Sequence, residues 1–455
     1  MRISSLASLL LAIFISSGCN NSPNHPQPSP AWSIGFWFWT GSQASLTTGI
    51  EPIDYIYCHT GNFQDGTFRG KKNTWTINSF LPKVLPVARQ YWLVFRSEGN
   101  GIPPLEVVSK LLQSVADLQA EANQRGLHIA GIQLDVDSPT RALPQYAALL
   151  HAVRNDLPPD LKLSITALID WFRTGTAIRD VIQEVDEFVP QFYDVQNRDS
   201  YTGGSVVATP ILGAKWGPVF NRYKKSFRVG ISTFGRSRLV PKTPPADKDY
   251  RGISFADLKP LDVALLPAFH LEASKTEAQE LVLRYRAVEQ TRLGYTDFEP
   301  GDAIEFVASS PGAIRAAVKE VKVMGDYCAG VVFFRWPASN ESLTAQPEEV
   351  LVAAGAVSAH ERRDEIRVID GGCSAVHCVD LYLVDTKPLA PTSTRYRIES
   401  TTPLEYFLPS EKLPIRMSGP LSIDLWLPPY CGRGRMFLGR AVSVKSATFS
   451  LKEQQ

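Results

Sequence analysis

From Trp32 onward, short apolar runs rich in aromatic and β-branched residues alternate with stretches whose apolar positions recur at helical spacing. The runs are WSIGFWFW, IDYIYC, YWLVFR, IAGIQLD, KLSITAL, EFVPQFYD, RVGISTFG and AGVVFFRW. Between them, PLEVVSKLLQSVADLQAEANQRG is spaced as a helix closing at Gly126, and LPQYAALLHAVRNDL as one that stops before Pro158 and Pro159. Alternation of this kind predicts a parallel α/β architecture, and eight runs predict a (β/α)8 TIM barrel over residues 31–355. The connection after Gly235 is too long for one helix and contains LLPAFHLEA and AIEFVASSP, which predicts an insertion over about residues 237–310. Beyond it, EIRVID, VDLYLVD, RYRIES, LSIDLWL and SATFSL alternate with period two and predict a β-sandwich-like accessory domain over residues 356–455.

Composition adds little to this picture. At 455 residues and 44% hydrophobic content the chain can bury a large core and fill more than one domain. Lys plus Arg at 47 against Asp plus Glu at 46 leave a formal charge of +1, so no nucleic acid is expected as a partner. The N-terminus says more. Arg2, an apolar run over residues 6–15 too short to span a bilayer comfortably, and ISSGC together read as an export signal. NNSPNHPQPSP then places four prolines in a short polar stretch, which reads as an extended tether over residues 19–30.

Apart from Cys19 the chain has Cys58, Cys328, Cys373, Cys378 and Cys431, an odd set that leaves at least one thiol unpaired. CSAVHC can close on itself, or one of its cysteines can join Cys431. His377 alone does not complete a four-ligand zinc site, and the chain is expected to use no metal and no cofactor.

The chemistry is concentrated in GIQLDVDSPT. On a strand, Gln133, Asp135 and Asp137 share one face at about 7 Å spacing, while Ile132, Leu134 and Val136 turn toward the helices. Barrel interiors are normally filled by branched apolar side chains, and a carboxylate buried there needs a partner or a raised pKa. Asp137 also falls at the carboxyl end of its run, the face where barrel enzymes place their chemistry. The bland reading makes these residues a cap for the next helix. No Gly-x-Ser-x-Gly elbow, phosphate-cradling glycine loop or His-rich motif occurs, so serine hydrolase, kinase and zinc hydrolase drop out.

These residues resemble the chitinase-like family 18 glycoside hydrolases, whose fourth strand reads Asp-Gly-x-Asp-x-Asp-x-Glu. Here AGIQLDVD matches it at Gly131 and Asp135, carries Ala130 and Gln133 for the first two Asp residues, and sets Asp137 in the place of the catalytic Glu. QFYD resembles the family's Met-x-Tyr-Asp at Tyr193 and Asp194, with Gln191 for Met. VGISTFGRS resembles its seventh strand at Gly230, Phe234, Gly235 and Arg236, after which many chitinases carry an insertion. GVVFFRW resembles its eighth, whose Trp, here Trp336, floors a sugar subsite. More closely, QLDVDSPT, LPQYAALL and LSITALIDW look like an uncharacterised bacterial family of unknown function, which implies the barrel and no established activity.

The resemblance implies a general acid at Asp137, with Asp135 and Tyr193 orienting the substrate's N-acetyl group and stabilising the intermediate. Gln133, Gln191, Asp194, Trp336 and Arg236 would line the sugar site. Trp37 and Trp39 add flat apolar faces that suit sugar rings and suit a core as well. Arg96, Glu98, His59, Asp170, Trp171 and Arg335 are further mouth candidates, although Arg335 and Trp336 cannot both face inward on a regular strand. Gly18 and Cys19 resemble a bacterial lipobox, with Ser16 where Leu is usual; this implies a signal peptide over residues 1–18 and lipidation of Cys19. Asn20 after it implies the outer membrane of a Gram-negative bacterium.

The expected function is therefore an exported, membrane-anchored glycoside hydrolase acting on a polysaccharide with N-acetylated amino sugars. The alternative is a catalytically inactive glycan-binding barrel, because Asp is about 1.5 Å shorter than Glu, and misplacement by 1 Å can cost about 10²-fold. A third reading, an Asp-x-Asp metal site of a nucleotide-sugar glycosyltransferase, conflicts with export.

Overall fold

The structure is a computed structural model that describes residues 31–39, 53–65, 75–97, 101–193, 211–243, 255, 258–277, 280–338, 341, 343–358, 364–374, 377–385, 393–411, 413–429 and 434–454. In chain order its first strands are β1 (Ser33–Phe38), β2 (Ile53–Gln64), β3 (Thr76–Ser79), β4 (Ala88–Ser97), β5 (Ile129–Asp135), β6 (Lys162–Leu168), β7 (Glu187–Gln191) and β8 (Ser226–Ser232). An insertion follows with β9 (Gly235–Val240), β10 (Phe269–Glu277), β11 (Glu280–Ala287), β12 (Thr291–Leu293), β13 (Thr296–Phe298) and β14 (Ala303–Ser309), and then β15 (Cys328–Phe334). The order β1-β15-β8-β7-β6-β5-β4-β2, closed by pairing of β1 with β2, is an eight-stranded parallel barrel. It contains all eight runs expected from the sequence. β3 adds to the rim as an antiparallel partner of β2.

The helices form where apolar positions recur every three or four residues. α1 (Val108–Gln124) buries Val108, Leu111, Val115, Leu118 and Ala122, and the chain leaves it through Gly126 in the left-handed region at φ 66°. α2 (Leu143–Asp156) starts with Pro144 in its first turn, buries Leu143, Tyr146, Leu149, Leu150 and Val153, and ends before Pro158. α3 (Ile178–Gln183), α4 (Gly213–Asn221), α6 (Pro311–Val321) and α7 (Pro347–Ala354) continue the outer ring, while α5 (Pro260–Ala264) belongs to the insertion. Ser310 caps α6 by accepting a hydrogen bond from the Ala313 amide.

Strand alternation sorts the barrel into two cores. Ile132, Leu134 and Val136 join the outer one between sheet and helices; Trp37, Tyr57, Trp92, Val94, Val189, Tyr193 and Val332 fill the inner one. The insertion sheet, ordered β10-β11-β14-β9, is two-faced in the same way. One face holds its own core of Leu239, Leu283, Tyr285, Ile304 and Phe306, and the other sends Val282 and Val307 into the inner barrel cluster.

After α7, which Gly355 closes at φ 74°, the chain builds two four-stranded antiparallel sheets. One comprises β16 (Glu365–Asp370), β17 (Cys378–Asp385), β19 (Leu404–Pro409) and β22 (Gly434–Ser443); the other comprises β18 (Thr394–Ser400), β20 (Ile415–Gly419), β21 (Ser422–Leu427) and β23 (Phe449–Gln454). Leu381, Ile398, Ile423, Leu425 and Leu438 are buried in their shared core, against which Leu261 of α5 packs. Cys373 and Cys378 are disulfide-bonded, so CSAVHC closes on itself; Cys58 and Cys328 are free thiols. Cys19 and Cys431, the expected signal peptide and the tether lie outside the described residues. Among the described residues no helix is long and apolar enough to cross a membrane.

Candidate functional site

Inside the barrel the polar side chains form layers set by strand register. In the lowest, Glu187 at the start of β7 forms an ion pair with Arg228, accepts from the Tyr57 hydroxyl at 2.7 Å, and accepts from Ser164 at 3.3 Å. Arg228 also donates to Ser33 Oγ at 3.0 Å and lies over the Tyr55 ring. Opposite Ser164 in register, Gln133 is fully buried. Its carbonyl accepts from Trp37 Nε1 at 2.7 Å and its amide donates to Ser164 Oγ at 3.1 Å, so both ends of the side chain are used inside the protein.

Gly131, in the same inward phase, has no room for a side chain. A Cβ there would lie 2.1 Å from the Lys162 carbonyl oxygen and 2.8 Å from the Trp92 ring. Gly230 leaves space for the two aromatic residues above it, since a Cβ would stand 3.0 Å from Tyr193 and 3.1 Å from Trp37.

Asp135 is the last residue of β5 and is 6% exposed. Thr166 of β6 donates to its Oδ1 at 2.7 Å, Arg96 of β4 approaches Oδ2 at 3.8 Å, and Gln191 of β7 adds a side-chain hydrogen bond. Burial pushes this carboxyl up, and Arg96, Thr166 and Gln191 oppose the shift. Gln191 thus contacts Asp135 from the carboxyl end of β7.

Asp137 departs from the expected geometry. The strand ends two residues before it, because Ser138 turns back, its amide donating to the Val136 carbonyl at 2.7 Å, and Pro139 has no amide to continue a ladder. Only two of the three polar residues therefore share a strand face; the third sits on a loop at the rim. Trp171, 1% exposed, pins this loop by donating from Nε1 to the Ser138 carbonyl at 2.9 Å. Asp137 itself is exposed at the rim. Desolvation first, and then the charge of Asp135, push its carboxyl up to about 6, with Arg96 opposing. Burial thus pushes both carboxyls up, and the charge of Asp135 raises Asp137 further.

Tyr193 is buried beside them, its phenol driven well above its ordinary range by burial and by the charges of Asp135 and Asp137. Its ring stacks on Phe334 at 4.7 Å and meets Trp37 edge-on at 5.7 Å. Trp37, 1% exposed, is inner core beneath the site. Trp39 is half-buried, stacked on His59 at 4.8 Å and edge-on to Phe334 at 6.0 Å, so it forms part of the mouth.

Trp336 does not floor the site. It is 3% exposed and packs edge-on against Phe36 in the outer core. β15 ends at Phe334, so the inward phase cannot be extended to Trp336; Phe334, in phase with Val332, takes the inner position. Sequence reasoning passed over Phe334, although this phase relation was its signal. Arg236 lies on β9 of the insertion sheet rather than on the seventh barrel strand, half-buried over the Phe234 ring, where desolvation lowers its pKa. Beside it, fully buried Glu305 holds Arg238 and Arg284. Asp170 and Arg173 form an exposed ion pair and Arg335 pairs with Glu341, so neither supplies the acidic pair. Asp194 and Glu98 lie outside the described residues.

Residues 89–247, which carry Gln133, Asp135, Asp137, Thr166 and Tyr193, match the model of a family described as a domain of unknown function. That family is DUF3142, and the match covers less than half of the chain. In fold the chain is similar to chitinase-like barrels. The spore cortex-lytic enzyme SleL of Bacillus cereus is 15% identical, with 74% of this chain and 76% of that one covered at a TM-score of 0.44. A chitinase from Chromobacterium violaceum is 14% identical, with 73% and 100% covered at 0.45, and a Group IV chitinase of Ostrinia furnacalis is 12% identical, with 68% and 94% covered at 0.41. No curated protein matches the sequence.

Proposed function

We propose that the barrel mouth hydrolyses glycosidic bonds in a polysaccharide containing N-acetylated amino sugars. The observation that carries this reading is the divided carboxylate pair: Asp137 at the rim is raised to about 6, above an Asp135 held by Thr166, Gln191 and Arg96. A carboxyl protonated near neutral pH can give its proton to a leaving glycosidic oxygen as the C–O bond breaks. The ionised Asp135 and the neutral Tyr193 phenol then stabilise the positive charge that develops as the substrate's acetamido oxygen closes on the anomeric carbon. Water reopens that ring, and Asp137 recovers its proton. Phe334 and Trp39 offer apolar faces for the sugar.

The test is reducing-end release from a panel of polysaccharides by the protein and by Asp137→Asn. Loss in the variant supports the acid role; undiminished turnover removes it. Gln133 favours a second reading, a barrel that binds glycan without cleaving it, because its amide is committed to Trp37 and Ser164 and adds no carboxylate to the pair. Calorimetric glycan binding without reducing-end release would select that reading. The proposal places the protein outside the cytoplasm, anchored in the outer membrane by lipid on Cys19; palmitate labelling that Cys19→Ala does not abolish would overturn the anchor.

A further inference from the structure

The sandwich has a built hollow on one outward face. Tyr396, Ile398, Ile415, Ile423 and Leu425 turn into the core, so alternation turns Arg395, Arg397, Arg416, Asp424 and Trp426 outward. Strand register sets Arg395 opposite both Trp426 and Gln454, and sets Asp424 opposite both Arg397 and Arg416. Arg395, Arg416, Asp424, Trp426, Gln454 and Pro414, together with Ile415 and Leu425, line an open cavity of about 560 Å³. That volume falls within the range of small-ligand sites, roughly 300–1,000 Å³.

The lining has a defined chemistry. Trp426 keeps 36% of its surface in water, an indole among polar neighbours on a sheet face. Arg397 grips Asp424 with two hydrogen bonds, at 2.9 and 3.3 Å, and Ser418 adds a third, which fixes the carboxylate in orientation; a carboxylate has about four acceptor sites, so one is left over. Arg395 and Arg416 are exposed at the rim. Lys452 and Glu399 on the same face pair with each other, so the three arginines against Asp424 leave an excess of positive charge.

A flat apolar ring suits the C–H face of a sugar, and guanidinium forks suit carboxylates. The ionised carboxylate in the hollow, already held by Arg397 and Ser418, is complemented by a ligand that donates, as sugar hydroxyls do. A nucleic-acid strand would stack on the indole as well, but its phosphodiesters offer Asp424 no donor and are repelled by it. We propose that this hollow is a binding site for a carboxylate-bearing polysaccharide, with Trp426 stacked on a sugar ring, Arg395 and Arg416 on its carboxylates, and Asp424 accepting from its hydroxyls. The site stands apart from the barrel, and its test reads binding whether or not the barrel cleaves.

The experiment is affinity electrophoresis of the full chain through gels containing hyaluronate, polygalacturonate or neutral dextran, beside a titration with oligothymidylate. Retardation is expected in at least one uronate gel and not in dextran. Trp426→Ala weakens it about tenfold or more, and Trp426→Phe recovers most of the loss. The double variant Arg395→Ala, Arg416→Ala removes its salt sensitivity. All these side chains are at the surface, and a thermal melt of each variant confirms folding. The proposal is overturned by no retardation in either uronate gel, by equal retardation in dextran, by retardation that a folded Trp426→Ala retains, or by tighter binding to oligothymidylate that the same variant loses.

Discussion

Glu187 and Asp137 lie at opposite ends of one barrel, and their surroundings differ in kind. Glu187, at the amino-terminal end, is 4% exposed and meets a guanidinium and two hydroxyls, so its charge is compensated within the protein. Asp137, at the carboxyl-terminal rim, is exposed and feels both the Asp135 carboxylate and Arg96, and desolvation with the carboxylate's charge raises it to about 6. The first arrangement suits architecture, because a buried charge survives only when paired. The second leaves a proton to give away. An acidic residue in a barrel is thus read by all of its partners: Glu187 has an arginine to itself, whereas Asp135 and Asp137 share Arg96.

Asp137→Asn should produce the largest separation between the two ends, a fall of about 10²–10⁴-fold in reducing-end release with little change in the urea midpoint. Glu187→Ala should do the reverse in stability. It leaves Arg228 buried without its counter-charge, a loss of about 3–5 kcal/mol by urea denaturation; a loss below about 1 kcal/mol would break the comparison.

Thr166→Val removes a hydrogen bond to a carboxylate, about 1.5–3 kcal/mol, and makes Asp135 easier to protonate. Repulsion on Asp137 then weakens, and the alkaline limb of the pH–rate profile should move to lower pH. The smallest effect is on stability against pH. Asp137 binds its proton more tightly folded than unfolded, so its contribution is full below its ordinary value of 3.8 and is lost as pH rises through about 6. Asp137→Asn should flatten that decline in urea midpoints measured from pH 3.5 to 7.

The barrel was legible because period-two apolar runs and helical spacing are local signals, and each of the eight runs carried one. Asp135 was legible for the same reason, at the end of a strand whose alternation turns it inward. Extrapolating that phase past a strand end failed twice: β5 stops before Asp137 and β15 stops before Trp336. The remaining features come from pairings across the sheet. Tyr57, Glu187 and Arg228 meet from three separate strands, and Arg238 finds Glu305 across 67 residues, so no window of sequence contains either arrangement. Thr166 was silent for this reason too, since a threonine in KLSITAL reads as an ordinary strand residue until register sets it beside Asp135.

The insertion touches both neighbours. Val282 and Val307 enter the inner cluster of the barrel, and Leu261 rests on the core of the sandwich. Mechanically it is a strut: a pull on a polymer held by the sandwich would reach the barrel mouth through this sheet, in addition to the covalent link after α7. Leu261→Asp would remove the apolar part of that contact and loosen the path between sheet and sandwich.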